Sequence, residues 1–97
     1  MVTLSDIQRQ REEILRIAHS HGADNVRVFG SVVRGEATES SDLDILVRFS
    51  EKTSLIDYIA LMQDLEGILG VKVDVVEEDA LHPLIRDRVL SEGVALE

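Results

Sequence analysis

The chain contains no cysteine, and this absence removes several kinds of chemistry. Without thiols it can form no disulfide framework, hold no zinc through thiolates and use no cysteine nucleophile. Basic residues are also scarce, since 10 lysines and arginines stand against 19 aspartates and glutamates, for a formal net charge of −9. Binding to DNA, RNA or an anionic membrane needs clustered positive charge, so this balance argues against non-specific binding to these polyanions.

Long hydrophobic runs are missing as well. No apolar run approaches the roughly 18 residues that a membrane-spanning helix needs. The sequence begins Met-Val-Thr-Leu-Ser-Asp, which lacks the basic and apolar stretches of a secretory signal. The 44% hydrophobic content is near the average for globular proteins and argues against disorder. We therefore expect one small domain over residues 1–97, located in the cytoplasm.

The pattern of apolar residues predicts an α/β domain with a small mixed sheet of three to four strands flanked by helices. Helical spacing predicts helices over residues 5–21, 54–69 and 83–91. Alternation and short β-rich runs predict strands over residues 25–29, 42–49 and 71–76.

Local signals predict how the helices begin and which faces they bury. Ser5 and Gln8 are expected to form a capping box at the start of the first helix, and Ser54 with Asp57 opens the second. Gly70 is expected to end the second helix. Its predicted buried stripe consists of Leu55, Ile59, Met62, Leu65 and Leu69.

Three aspartates are predicted to lie on one face of the sheet. Alternation along the second strand sends Asp42 and Asp44 to the same side, with Cα atoms about 7 Å apart. Asp74 of the third strand joins them once the apolar faces are matched against the helices. Carboxylates about 5 Å apart repel by roughly 3 kcal/mol at an effective dielectric of 20, which a fold rarely keeps without a cation. Because all-oxygen ligands suit Mg²⁺, these aspartates are candidate metal ligands.

A candidate phosphate site follows the first strand. That strand ends at Gly30-Ser31, and a short helical turn over residues 32–34 is predicted next. Glycine lets the backbone approach a polyphosphate closely, and Ser31 offers both a hydroxyl and an N–H group at a helix start. The sequence therefore predicts a phosphate site beside the carboxylates.

Gly30-Ser31, ten further residues and then Asp42-Leu43-Asp44 form the motif of the DNA-polymerase-β-like nucleotidyltransferases. The run Gly-Ser-Val-Val-Arg-Gly from Gly30 closely resembles their smallest branch, the minimal nucleotidyltransferases (MNT), which are antitoxin partners of HEPN-domain ribonucleases. Four fixed residues of this kind recur by chance in about one chain in a thousand. Asp74 supplies the third carboxylate, so the resemblance covers 45 residues. Val33 departs from it, since relatives often carry alanine there.

This resemblance implies a polymerase-β-like fold and a Mg²⁺-dependent transfer of AMP from ATP to a tyrosine of the HEPN partner. Asp42 and Asp44 would hold two Mg²⁺ ions, and Asp74 would bind the ion that activates the acceptor hydroxyl. Gly30 and Ser31 would position the β- and γ-phosphates. The negative charge of the chain favours a basic partner.

Several side chains near the motif have more than one interpretation. Arg34 is a candidate nucleotide-binding residue, but it could instead pair with Glu36 or with a site aspartate. Arg48 shares the carboxylate face and could be a counter-ion or a member of a structural pair. Tyr58 could stack on a base, although its place in a helix favours partial burial. His82 could line the nucleotide site or belong to a loop.

Two functions of different classes remain open at this stage. The first is an enzyme that nucleotidylates a protein hydroxyl, which the intact set of carboxylates and Gly30-Ser31 favour. The second is a non-catalytic antitoxin that neutralises its toxin by sequestration. A transferase acting on small molecules is a weaker third, because such enzymes generally need a second domain to hold the acceptor.

Overall fold

Four strands form one mixed sheet in the computed structural model, which describes residues 2–97. The strands are β1 (Ala23–Phe29), β2 (Leu43–Phe49), β3 (Val73–Glu77) and β4 (Val94–Ala95). Their order across the sheet is β3-β2-β1-β4. β1 runs antiparallel to β2 and β4, whereas β2 and β3 are parallel. The predicted mixed sheet is confirmed, although the strand bounds shift by one to two residues and β4 was not predicted.

Five helices and one 3₁₀ turn accompany the sheet. The helices are α1 (Leu4–Arg9), α2 (Arg11–Ser20), α3 (Ser31–Arg34), α4 (Leu55–Leu69) and α5 (Pro83–Glu92). The 3₁₀ turn (Glu78–Ala80) follows β3 directly. Within residues 2–97, no helix has both the length and the apolar composition needed to cross a membrane.

The predicted first helix over residues 5–21 is wrong, because it is divided into α1 and α2 at Gln10. The backbone of Gln10 leaves the helical region, with φ −99° and ψ 15°. The capping box predicted from Ser5 and Gln8 is also wrong, because it is formed by Thr3 and Asp6. The Thr3 hydroxyl accepts from the Asp6 N–H, and the ionised Asp6 carboxylate accepts from the Thr3 N–H, which makes a stronger pair than a neutral glutamine would.

Helix α4 begins and ends as predicted, and its predicted buried stripe is confirmed at Leu65 and Leu69 but not in its first turns. Ser54 and Asp57 form the capping box, and Gly70 ends the helix in the left-handed conformation at φ 69°. The predicted stripe is wrong at Leu55, which is 74% exposed, and at Ile59, which is also exposed. The helix is apolar on several sides, and packing against the sheet selects its buried face. That face is formed by Leu61, Leu65 and Leu69.

The core lies between the helices and one face of the sheet. Alternate residues of the three long strands are buried there, among them Val28, Ile45 and Val75. Leu96 joins this core with 2% of its surface exposed, and its N–H donates to the Val26 carbonyl oxygen. The end of the described chain is therefore tied to both the core and the sheet.

The opposite face of the sheet is only partly covered. Leu46 lies on this face, yet it is fully buried, because the 3₁₀ turn and the residues around it pack over that part of β2. Asp44, two residues earlier, is half-buried, and Asp74 beside it is exposed. Helix α5 follows the 3₁₀ turn and has no fully buried residue. The carboxylate end of this face therefore stays open.

Candidate active site

Asp44 and Asp74 are direct neighbours across the parallel pair of strands β2 and β3. Adjacent strands lie about 4.8 Å apart, and residues in register point to the same face. The structure thus brings these two carboxylates together as the alternation predicted. Asp42 precedes β2 by one residue instead of lying within it, and it is exposed.

These carboxylates form no ion pair with the cationic side chains that the structure describes. Among residues 2–97, no ion pair includes Asp42, Asp44 or Asp74. Burial raises the pKa of Asp44 above its usual value, and repulsion from Asp74 and then Asp42 raises it further, while Arg34 opposes the shift. The site therefore concentrates negative charge that the attraction to Arg34 offsets only in part.

The donor chemistry of the three aspartates fits a hard divalent cation, because all the available ligand atoms are carboxylate oxygens. In their present positions, the described His, Asp and Glu side chains form no group of three or more that could hold a metal ion. A bound cation would therefore have to draw the aspartate side chains inward. Repulsion between unneutralised carboxylates is a physical reason for them to remain apart.

Gly30 is required at its position for two reasons. Its backbone has φ 81° and ψ −153°, a region that is essentially restricted to glycine. A Cβ atom there would lie 2.2 Å from Oδ2 and 3.1 Å from Cγ of Asp44. The sequence predicted this glycine for its close approach to phosphate. The structure adds that the Asp44 carboxylate itself occupies the space over Gly30.

Ser31 begins the short helix α3 directly after Gly30. The Gly30 carbonyl oxygen accepts from the N–H groups of Val33 and Arg34. The N–H groups of Ser31 and Val32 come earlier in the turn and have no intrahelical acceptor. Together with the Ser31 hydroxyl, they supply hydrogen-bond donors beside the carboxylates.

Glu92 is a residue of the site that sequence reasoning missed. Its Oε1 accepts from the Gly30 N–H at 3.0 Å and from Nη1 of Arg34 at 2.7 Å. Arg34 also donates from Nε to Glu36 at 3.1 Å, as one of its predicted interpretations had it. No local signal identifies Glu92, because it lies at the end of α5, 62 residues after Gly30 in the chain.

A cleft of about 290 Å³ separates α5 from the end of β1. We call it the arginine cleft, since two of its residues are arginines and Arg88 forms no ion pair within residues 2–97. It is lined by Phe29, Gly30, Arg34, Ile85, Arg88, Val89 and Glu92. It opens on the β1 side of Asp44.

A larger groove of about 700 Å³ runs along β3 on the other side of Asp44. We call it the acidic groove, because four carboxylates line it and its lining includes no lysine or arginine. The carboxylates are Glu51, Asp74, Glu77 and Asp79. Apolar lining comes from side chains that include Phe49, Leu55, Tyr58 and Val76.

The remaining candidates are held by structural contacts. Arg48 lies 3.7 Å from Asp24, at the end of β2 opposite to Asp44, so it is not a counter-ion of the site. His82 caps α5 by accepting from the Leu84 N–H. Tyr58 is half-buried, as its helical place predicted, and its hydroxyl donates to the Val75 carbonyl oxygen at 2.7 Å.

Comparisons with known proteins agree with this geometry. A family model described as a nucleotidyltransferase domain matches residues 7–96. The protein adenylyltransferase MntA of Thermococcus cleftensis is 43% identical over an alignment 99 residues long. The alignment covers 97% of this chain and 96% of that relative.

Solved structures show the same fold. A candidate minimal nucleotidyltransferase superposes with a TM-score of 0.85 at 49% identity, covering 96% of this chain and 95% of that one. The complex of a tri-AMPylated HEPN toxin with its MNT antitoxin, from Shewanella oneidensis, contains a chain that matches with a TM-score of 0.69. The match covers 93% of this chain and 71% of that one. Because the sequence identity is only 22%, it shows a shared fold alone.

Proposed function

This chain belongs to the nucleotidyltransferase domain family, in its minimal branch, and we propose that it is an antitoxin that transfers AMP from ATP to a tyrosine of a HEPN-domain toxin. One observation carries the proposal. Asp44 and Asp74 are in register on adjacent strands, and Asp44 lies against Gly30, where no Cβ is present. A carboxylate pair is thereby placed beside the donors of the Gly30-Ser31 turn. In this proposal, residues 1–97 form one nucleotidyltransferase domain.

Two Mg²⁺ ions would be held by Asp42 and Asp44, with Asp74 as a further ligand on the acceptor side. When bound, they neutralise phosphate charge and make the acceptor hydroxyl easier to deprotonate. The raised pKa of Asp44, due to burial and then to Asp74 and Asp42, supports this assignment, because a cation would relieve that crowding of negative charge.

A triphosphate needs positive charge and N–H donors around it. The β1 side of Asp44 offers both, so the triphosphate of ATP would bind there. Ser31 and Val32 supply N–H groups there, and Arg88 lies across the arginine cleft. Glu92 holds the Gly30 N–H and the Arg34 guanidinium, which fixes the turn from which these donors project. These residues bind and orient the nucleotide.

The reaction exchanges one bond for another at the α-phosphorus. The tyrosine oxygen forms a bond to the α-phosphorus, the bond between this atom and the oxygen bridging to the β-phosphorus breaks, and pyrophosphate leaves. The hydroxyl proton passes to solvent. Orientation of the two reactants can supply roughly 7–11 kcal/mol of the barrier, so an acceptor fixed on a docked protein reacts far faster than a free hydroxyl.

The partner is proposed from the family and from the open carboxylate face. Asp74 is exposed, so an acceptor protein can reach it from outside. A net charge of −9 favours a partner with a basic surface, such as a ribonuclease that binds RNA.

Intact-mass spectrometry tests the proposal. The purified HEPN protein is mixed with this chain, ATP and Mg²⁺, and we expect it to gain increments of about 329 Da, one AMP each. Asp44→Asn removes a proposed ligand and should abolish the increments. Asp24→Asn is the matched control, because Asp24 is exposed at the other end of the sheet, and it should leave them unchanged.

The alternative of sequestration has a distinct outcome in the same experiment. A toxin that keeps its original mass but loses its ribonuclease activity would show that this chain inhibits by binding alone. Peptide mapping of the modified toxin identifies the acceptor, and AMP found on a residue other than tyrosine would overturn that part of the proposal.

A further inference from the structure

We propose that the acidic groove is the docking site for the acceptor segment of the partner protein, and that this segment combines basic and apolar side chains. The inference rests on the proposed function, since it gives the acceptor a location on this chain. It commits to a protein segment as the occupant of the groove.

The position of the groove places it on the acceptor side of the site. The sheet order puts β2, which carries Asp44, between β1 and β3. Gly30 and the arginine cleft lie on the β1 side, whereas the acidic groove begins at Asp74 on β3 and extends toward Glu77. A nucleotide bound over Gly30 would therefore leave the groove free for the second reactant.

The charge of the groove excludes a second nucleotide. Its four carboxylates repel a triphosphate, and its lining includes no lysine or arginine. Asp79 alone among them forms an ion pair within residues 2–97, with Arg86 at 3.9 Å, which leaves most of the negative charge of the groove in place. Three of these carboxylates, those of Glu51, Glu77 and Asp79, lie outside the proposed metal set. A segment with lysine or arginine side chains is complementary to them, and such complementarity speeds association and favours the correct partner.

The exposed apolar residues indicate that the occupant is a protein segment and not a small cation. Leu55 lines the groove with 74% of its surface exposed, and the adjacent Ile56 is 78% exposed. Both belong to the first turn of α4, whose buried face begins only at Leu61. Apolar side chains rimmed by charges are typical of protein contact sites.

Two hydrogen bonds connect α4 to the outer edge of β3 beside the groove and indicate how the segment binds. The Tyr58 hydroxyl donates to the Val75 carbonyl oxygen, and the Val73 N–H donates to Glu66. These side chains from α4 hydrogen-bond to backbone groups on the outer edge of β3, which is one of the two edge strands of the sheet. An added β-strand would have to displace both bonds. We therefore expect the segment to bind through its side chains.

A charge-neutralising variant tests the proposal. Glu51→Gln, Glu77→Gln and Asp79→Asn are combined and compared with Glu12→Gln, Asp24→Asn and Asp64→Asn, which change the net charge equally at exposed sites outside the groove. We expect the groove variant to raise the KM for the HEPN partner about tenfold and to weaken its salt dependence, with kcat less affected. The comparison variant should stay within about twofold of wild type.

A second pair of variants tests the apolar part. Leu55→Ser should weaken binding of the HEPN partner, measured by calorimetry without nucleotide. Leu84→Ser changes a leucine on α5 that is also highly exposed but lies outside the groove, and it should leave binding unchanged. Neither exposed position contributes to the core, so both variants should fold. Calorimetric titration with ATP and Mg²⁺ should give an affinity for the groove variants that is not lower than that of wild type.

The outcomes separate this inference from the proposed function. If the wild-type chain modifies its partner and the groove variants do so with unchanged KM, the acceptor segment docks elsewhere and the inference is wrong. If the groove variants bind ATP more weakly, the groove belongs to the nucleotide site, which also overturns it. A wild-type chain that binds the partner but transfers nothing contradicts the proposed function instead.

Discussion

Replacing Asp44 by asparagine should inactivate the protein while making it more stable. Asparagine has almost the same shape as aspartate, so it keeps the packing over Gly30. That packing is close, since a Cβ atom added to Gly30 would lie only 2.2 Å from Oδ2 of Asp44. The substitution removes the charge that Asp74 and Asp42 repel. It also removes the attraction to Arg34, which opposes that repulsion.

The magnitude follows from the strand register. Two carboxylates about 5.5 Å apart repel by roughly 3 kcal/mol at a dielectric of 20 and by roughly 0.8 kcal/mol in water. Asp44 is half-buried and Asp74 is exposed, so solvent screening places the pair near the lower limit. Repulsion from Asp42 adds to this value and the lost attraction to Arg34 subtracts from it, so we expect a net gain of about 1 kcal/mol. For a domain of this size, that raises the melting temperature by about 4–8 °C.

The pH dependence of this gain has a defined sign. The folded-state pKa of Asp44 lies above the ordinary aspartate value of 3.8, chiefly because of burial, so the folded protein binds this proton more tightly than the unfolded chain does. Ionisation of Asp44 therefore destabilises the wild type, and the cost is complete above the raised pKa. The advantage of Asp44→Asn should be full near pH 7 and should vanish as the pH falls below about 3.8.

Thermal denaturation of both proteins without metal, at several pH values, checks the reasoning. Asp24→Asn serves as the control, because its exposed pair with Arg48 at 3.7 Å should contribute less than about 1 kcal/mol. An Asp44→Asn protein that melts several degrees below wild type at pH 7 would show that the carboxylate stabilises the fold, and the repulsion argument would fail.

Three further variants or conditions give simple readouts. Gly30→Ala should destabilise the protein by about 1–3 kcal/mol in denaturant unfolding, because a φ of 81° disfavours alanine. It should also abolish AMP transfer, because the added Cβ atom would displace the Asp44 carboxylate, and unchanged transfer would contradict this. ATP with Mg²⁺ should stabilise wild type by about 2.7 kcal/mol at a concentration one hundred times Kd, with no shift for Asp44→Asn, as measured by calorimetric melting. Leu96→Ala should cost about 2–5 kcal/mol in denaturant unfolding if this nearly buried side chain is part of the core.

The motif predicted that the Gly30-Ser31 turn lies beside the carboxylates, and the local pairing of β1 with β2 explains why it does. β1 and β2 are consecutive antiparallel strands, and their register sets Phe29 opposite Asp44. The place of Asp74 followed from alternation, since Val73 and Val75 had to face the core. The prediction for Asp74 needed only the two-residue period of a strand and the position of the apolar face.

Other features could not be predicted because they depend on tertiary packing. Helix α4 carries apolar residues on several sides, and only contact with the sheet decides that Leu61 is buried and Leu55 exposed. The break at Gln10 has no glycine or proline to announce it. β4 has only two residues, too few for a period to be recognised, although Leu96 beside it enters the core.

The two sides of Asp44 differ in charge, and this difference gives the proposed transfer a direction. Arg88 and the donors of Ser31 lie on the β1 side, whereas Glu51, Glu77 and Asp79 lie on the β3 side. A triphosphate is attracted to the first and repelled by the second, and a basic segment has the opposite preference. Because the carboxylates lie between them, each reactant approaches from its own side and meets the other over Asp44. The sequence could not show this division, since it is built from residues of β1, α3 and α5 on one side and of β3, α4 and the 3₁₀ turn on the other.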